Sequence, residues 1–224
     1  MSGAWISSVL SNYDLSMDQG IRTKHFGHKW EEARIDGLNA PNEAHEARMR
    51  NHRGIALQRK DFPEASAVWD QKRYAKLHDV FRISTFLAVK ENVAEVLSRF
   101  DWGDGGLVPY MIYQADLATP LEEKFFLLNF GAHKNTILPE QSKNVVKGVI
   151  DAGTGQQLWR IRSWHENDDV VLSKESLVGP DLWFEEILYN DEVFMSDGLA
   201  EALITIGMKD LFKLKRCRIS GDVQ

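Results

Sequence analysis

A single cysteine, Cys217, is all the thiol this chain of 224 residues carries. No internal disulfide can therefore hold it together, and its fold does not depend on an oxidising compartment. Membrane-length apolar runs are missing too, since no segment approaches the roughly 20 consecutive apolar residues of a transmembrane helix. The opening stretch MSGAWISSVLSNYDLS has neither the basic n-region nor the long apolar run of a secretory signal. The sequence thus predicts a cytoplasmic protein with no membrane partner. An excess of positive charge is also absent: 27 Lys and Arg stand against 33 Asp and Glu, for a net charge of −6. Nucleic acid is then a poor main ligand, because phosphate binding needs concentrated cationic side chains. A basic partner is the easier fit.

Catalytic signatures are equally scarce. The glycine-rich stretches WGDGG and GTGQQ match neither the P-loop spacing nor the strand-then-helix G-x-G-x-x-G fingerprint, and both read as turns. No G-x-S-x-G nucleophile elbow is present. Arg216 and Arg218 flank Cys217 and favour a thiolate, but strand alternation buries the thiol and turns the arginines outward. His25 and His28, with His45 or His52, are the material of a metal site. Without a cysteine partner or an H-E-x-x-H pattern, histidines on a polar surface are the plainer reading. WHENDD (Trp164 to Asp169) sets His165 beside Glu166, Asp168 and Asp169, which suits a general base or a hard-cation site. Its spacing does not match the calcium loop, and a polar turn between strands explains it as well. LWRIRSW puts Arg160, Arg162 and Trp164 on one strand face, of the kind that stacks nucleotides; in an acidic chain it reads first as a solvated face. No catalytic residue, metal or cofactor is expected.

What the sequence does contain is a core. Hydrophobic residues make up 43% of the chain, ample for a globular interior. Ala4 to Leu10 suits a short strand, and NEAHEARMRNHRG (Asn42 to Gly54) suits a surface-facing helix with a glycine stop. From Ser84, the residues Val89, Val93, Val96, Leu97 and Phe100 recur at helical spacing, which predicts an amphipathic helix of about four turns. LVPYMIY and EKFFLLNF read as strands, KNVVKGVI and QQLWRIRSW as a hairpin around DAGTG, and DDVVLS as a further strand. PDLWFEEIL reads as a short helix. Ser196 caps a last helix carrying Leu199, Ala202, Leu203 and Ile206 up to Gly207, before LFKLKRCRI turns into a closing strand. The expected class is α+β, with mixed or antiparallel sheets and a few amphipathic helices. NVAEVL (Asn92 to Leu97) against GLAEAL (Gly198 to Leu203) suggests a weak internal helix-strand repeat. Residues 1–78 read as an N-terminal extension with a short strand and helices, packed on an α+β domain of residues 79–224, with one continuous domain as the alternative.

Charge is distributed unevenly. From His165 to Glu201 eleven acids face Lys174 alone, while Arg48 to Lys76 leans basic. Within the acidic run, DLWFEEILYNDEVFMSDGLAEAL mixes carboxylates with large apolar side chains. The run DLWFEEILYNDEVFMSDGLAEALITIGMKDLFKLKRCRIS resembles the bacterial polymorphic-toxin immunity domain called immunity family eleven, through Phe194, Ser196, Leu199, Leu203 and the terminal RCRI. FLAVKENVAEVLSRFDWGDGGLVPYMIY and FFLLNF resemble the first helix-and-strand unit of that family and the strand after it. The likeness covers about Asp79 to Ile219, and the N-terminal third departs from the pattern. It implies a non-catalytic protein that neutralises a cognate toxin or secretion-system effector by binding. The expected contact surface is Trp183, Glu185, Glu186, Tyr189, Asp191 and Glu192, facing a basic toxin. The competing expectations are a metal-dependent hydrolase using His165, Asp168 and Asp169, and a scaffold protein of the same fold.

Overall fold

The computed structural model describes residues 3–15, 19–31, 41–162, 165–189 and 191–221. In chain order its strands begin with β1 (Ala4–Ser7), β2 (Ile21–Lys24), β3 (Ala65–Val68), β4 (Val80–Ile83), β5 (Phe86–Lys90), β6 (Gly106–Tyr110), β7 (Ile112–Tyr113) and β8 (Phe125–Asn129). They continue with β9 (His133–Lys134), β10 (Val145–Ile150), β11 (Gln157–Ile161), β12 (Val171–Leu172), β13 (Leu182–Glu185), β14 (Val193–Ser196) and β15 (Leu214–Ile219). The helices are α1 (Asn42–Asn51), α2 (Gln71–Tyr74), α3 (Glu91–Leu97), α4 (Asp197–Thr205) and α5 (Lys209–Phe212). The class is α+β, rich in sheet, with mixed and antiparallel pairing.

These elements fall into two compact units. One comprises Met1–Asn12, Phe100–Gly103 and Ala132–Gln224, and the other Tyr13–Arg99 and Asp104–Gly131. A boundary at residue 78 lies inside the second unit, where Ile21 and Val68 share a core with Phe81, Phe86 and Phe125. The first twelve residues belong to the other unit because β1, AWIS, is buried on both faces and pairs with β14 on one side and β15 on the other.

In the second unit, β4, β5, β8 and β6 form a four-stranded antiparallel sheet, and β2, β3 and β7 a three-stranded one. Edge-to-face packing of Phe81 on Phe125 at 5.9 Å and tilted packing of Phe62 on Phe86 at 4.9 Å fill its interior. In the first unit, six strands run in the order β12-β15-β1-β14-β13-β9, with parallel pairs at both ends. Trp183 of β13 stacks on Phe194 of β14 at 6.0 Å inside it. The β10–β11 hairpin forms a separate two-stranded sheet in this unit.

Two elements differ from the periodicity of the sequence. The helix expected from Ser84 is a strand, β5, followed by the shorter α3. Phe86, Leu87, Ala88 and Val89 are all buried, and a run buried on both faces satisfies strand pairing, so it carries no helical stripe. PDLWFEEIL likewise forms β13, because Leu182, Trp183, Phe184 and Glu185 are all buried between β14 and β9. The closing elements follow expectation: Ser196 Oγ accepts from the Leu199 N–H at 3.3 Å, capping α4, and Gly207 takes φ +78° where the helix stops. Cys217 is buried, with Arg216 exposed and Arg218 half-buried. In each unit a strand, β5 or β14, runs directly into a helix, and the repeat positions Val93 and Leu199, and Leu97 and Leu203, are buried in both.

Candidate functional site

Strand β13 sends Trp183 and Glu185 to the same side, since residues two apart share a sheet face. Trp183 is 0% exposed, and its indole N–H donates to Glu185 Oε1 at 2.9 Å. The Glu185 carboxylate also accepts from the Thr136 N–H at 2.6 Å, Thr136 Oγ1 at 2.5 Å and the Ile137 N–H at 3.0 Å. Burial pushes its carboxyl up and these four hydrogen bonds pull it down. Lys134 sets its ammonium 3.7 Å over the Trp183 ring and donates to the Ser176 carbonyl at 3.1 Å. Burial brings that ammonium down to about 8, against the opposing charges of Glu185, Asp181 and Asp101. Together these contacts tie residues 134–137 to β13, a structural task.

Glu192 is 5% exposed and, among the described residues, accepts one hydrogen bond, from Ser8 Oγ at 2.8 Å. Burial pushes its carboxyl up to about 7; Asp191 adds to the rise, and Ser8 and Lys213 oppose it. Trp183, Glu185 and Glu192 are therefore inside the protein and cannot form the contact surface expected of them. Of the six residues, Glu186 and Tyr189 are exposed and Asp191 is half-buried. Glu186 stands 3.2 Å from His133 Nε2.

Other acids of the same run are also engaged. Asp197 accepts from Trp5 Nε1 at 2.8 Å and stands 3.5 Å from Arg216. Asp181 accepts from the Asp101 N–H at 2.9 Å, and Glu166 meets Lys215 at 2.5 Å. Sequence counting registers all of these as surface charge, whereas the fold uses them as caps and pairs.

Among the described residues, the histidines of each candidate cluster lie apart in their surroundings. His165 is buried, its pKa held down chiefly by desolvation, and neither ring nitrogen meets a side-chain partner among the described residues. Asp169 Oδ2 accepts from Asn144 Nδ2 at 3.1 Å and from the Glu166 N–H at 2.9 Å, while Asp168 occupies an exposed left-handed turn at φ +66°. A dyad needs a carboxylate on an imidazole nitrogen, and His165 has none. His25 lies buried 3.6 Å from Glu31, His52 packs edge-on against Phe130, and His28 and His45 are exposed. Among the described residues, no group of three His, Cys, Asp or Glu side chains is placed to hold a metal ion. Trp164 lies outside the described residues. Burial raises the pKa of Cys217, which makes it a core thiol.

Exposed side chains of the kind that binds partners gather elsewhere, on the β10–β11 hairpin. Val145 pairs with the buried Ile161 and Val146 with Arg160, so Asn144, Val146, Leu158, Arg160 and Arg162 share the outer face. The segment after β13 runs alongside β11: the Trp159 N–H donates to the Ile187 carbonyl at 2.7 Å and the Tyr189 N–H to the Trp159 carbonyl at 3.2 Å. Tyr189 then lays its ring against Gly148, where a Cβ would collide with Cε1, so that position must be glycine. Tyr189 remains 40% exposed, and Val149 and Ile150, toward the turn, are 58% and 66% exposed. The arginines were legible in LWRIRSW. The pairing of Tyr189 with Gly148, 41 residues away in sequence, carries no sequence signal. No protein-family model matches the chain, and no curated protein matches it.

Proposed function

We propose that the chain is an immunity protein: a non-catalytic binder that neutralises a cognate toxin or secretion-system effector in the cytoplasm. The observation that carries this reading is the division of roles among its side chains. His165, Asp169, Glu185, Glu192 and Cys217 are buried in packing and hydrogen-bonding positions. Tyr189, Arg160, Arg162, Val149 and Ile150 are exposed around one hairpin. Tyrosine and arginine are the residue types that dominate binding energy at protein interfaces, and about 800 Å² per partner is enough for a stable complex. The resemblance of Asp79 to Ile219 to immunity family eleven supports the same reading.

The test is co-expression of the chain with the toxin encoded beside its gene, together with mixing of the purified proteins. The expected result is a complex of fixed stoichiometry and growth protection that tracks the molar ratio of the two. Protection at a small fraction of the toxin concentration would indicate turnover, and growth arrest unaffected by the chain would remove the immunity role. Either result refutes the proposal.

A further inference from the structure

We propose that the outer face of the β10–β11 hairpin, centred on Arg160, Arg162 and Tyr189, docks an acidic protein surface. This rests on the reading of the chain as a binding protein, and it reverses the charge that the acidic sequence run suggests for the partner.

The argument begins with which charges are available. Arg160 and Arg162 are exposed, lie two residues apart on one strand face, and have no carboxylate partner among the described residues. Lys143 and Lys147 are exposed on the same hairpin but, by the same alternation, belong to its other face, where Lys147 lies 5.7 Å over the Trp159 ring. Asp151 is the one acid between residues 143 and 162. Its Oδ1 already accepts from the Gly153 N–H at 3.0 Å, the Thr154 N–H at 2.8 Å and Thr154 Oγ1 at 3.0 Å. A chain of negative net charge therefore presents a local basic face. Arginines at i and i+2 along a strand stand roughly 7 Å apart, and each planar fork matches one carboxylate with two parallel hydrogen bonds.

The same face contains apolar surface. Tyr189 lies over Gly148, and Val146 and Leu158 of that face are half-buried; Val149 and Ile150 are exposed toward the turn, from the bulge onward. A protein with carboxylates around an apolar insert complements both components. A nucleic-acid backbone complements only the charge, and the net charge of −6 opposes it. Docking uses the face and not the strand edge. Among the described residues β10 pairs with β11 alone, but its ladder is bulged between Lys147 and Ile150. Gln157 Nε2 already donates to the Gly148 and Val149 carbonyls at 3.2 and 3.3 Å. A bulge and an edge lysine both disfavour strand addition.

The test uses the full chain as wild type, as Arg160→Glu/Arg162→Glu and as Arg160→Gln/Arg162→Gln. Both substituted positions are on the surface, and thermal melts verify folding. Probes are the toxin encoded beside the gene and a single-stranded DNA 20-mer. Binding is followed by interferometry between 100 and 400 mM NaCl. Charge reversal is expected to weaken toxin binding by roughly 10- to 100-fold and flatten its salt dependence, with the Gln pair intermediate. Toxin affinity within twofold of wild type in the Glu pair overturns this surface and leaves the immunity reading standing. A wild-type chain that forms no complex with the toxin overturns both. DNA binding that disappears in the Glu pair while toxin binding persists overturns the acidic-protein assignment in favour of nucleic acid.

Discussion

Replacing Glu192 with Gln should stabilise the protein at neutral and alkaline pH and leave it unchanged below the ordinary glutamate pKa of 4.5. Glu192 is 5% exposed and, among the described residues, has a single hydrogen bond, from Ser8 Oγ at 2.8 Å, which the amide oxygen of Gln can also accept. Burial raises its folded pKa from 4.5 to about 7, so the folded state holds its proton more tightly than the unfolded chain. The associated stability is fully present below about pH 4.5 and is lost as pH rises through about 7. At about 1.4 kcal/mol per pKa unit the full swing is on the order of 3 kcal/mol, and relaxation around the charge reduces the measured effect to about 1–3 kcal/mol. Gln carries no charge at any pH and escapes this loss. Urea unfolding of both proteins in half-unit steps, begun below the unfolded pKa of 4.5, should show curves that coincide at the acid end, diverge between 4.5 and about 7, and run parallel above that. A stability difference independent of pH, or a Gln variant less stable than wild type at pH 8, would refute the reasoning.

Trp183→Ala removes a fully buried ring stacked on Phe194 and should cost about 3–5 kcal/mol, read from the urea midpoint and from loss of near-ultraviolet ellipticity. Glu185→Ala strands two backbone N–H groups, at Thr136 and Ile137, together with the Trp183 indole N–H. A loss of about 3 kcal/mol or more is expected, because each buried donor without an acceptor costs about 1–3 kcal/mol. Unlike the Glu192 case, Glu185→Gln should also destabilise, since an amide can replace only part of a carboxylate that accepts four hydrogen bonds. Gly148→Ala drives a methyl into the Tyr189 ring; a loss of about 1–3 kcal/mol and faster amide exchange at Trp159 and Tyr189 should accompany displacement of the ring.

Local signals were legible in the sequence where one short stretch determines the outcome. Ser196, Leu199, Leu203 and Gly207 define α4 because a cap, an apolar stripe and a left-handed stop are all local properties. The Val145–Ile161 hairpin was readable for the same reason: its two strands flank a turn whose aspartate and glycines select it. Phe86 to Val89 misled because an unbroken apolar run is compatible with a buried helix or a buried strand, and the choice depends on β4 and β8, which pair with it. The role of β1 depends on residues far away at the other end of the chain, since Ala4 pairs with Ser196 and with Cys217.

The candidate site was misjudged by counting charge without burial. A carboxylate contributes −1 to a sequence tally whether it is solvated, capped or neutralised, but a partner meets only the exposed ones. Glu185 and Glu192 are buried, and Asp197 and Glu166 have basic neighbours at 3.5 and 2.5 Å. The field a partner meets at the outer face of the β10–β11 hairpin is therefore set by Arg160 and Arg162. This holds only within a Debye length, about 8 Å at physiological ionic strength. At 10 mM salt that length grows to about 30 Å, and the net charge of −6 then acts on the same partner with the opposite sign. Association with an acidic partner should accordingly speed up as salt falls from 400 to 100 mM and level off below it. A basic partner would instead keep accelerating down to the lowest salt, so the low-salt limit of the association rate reports the sign of the partner independently of any substitution.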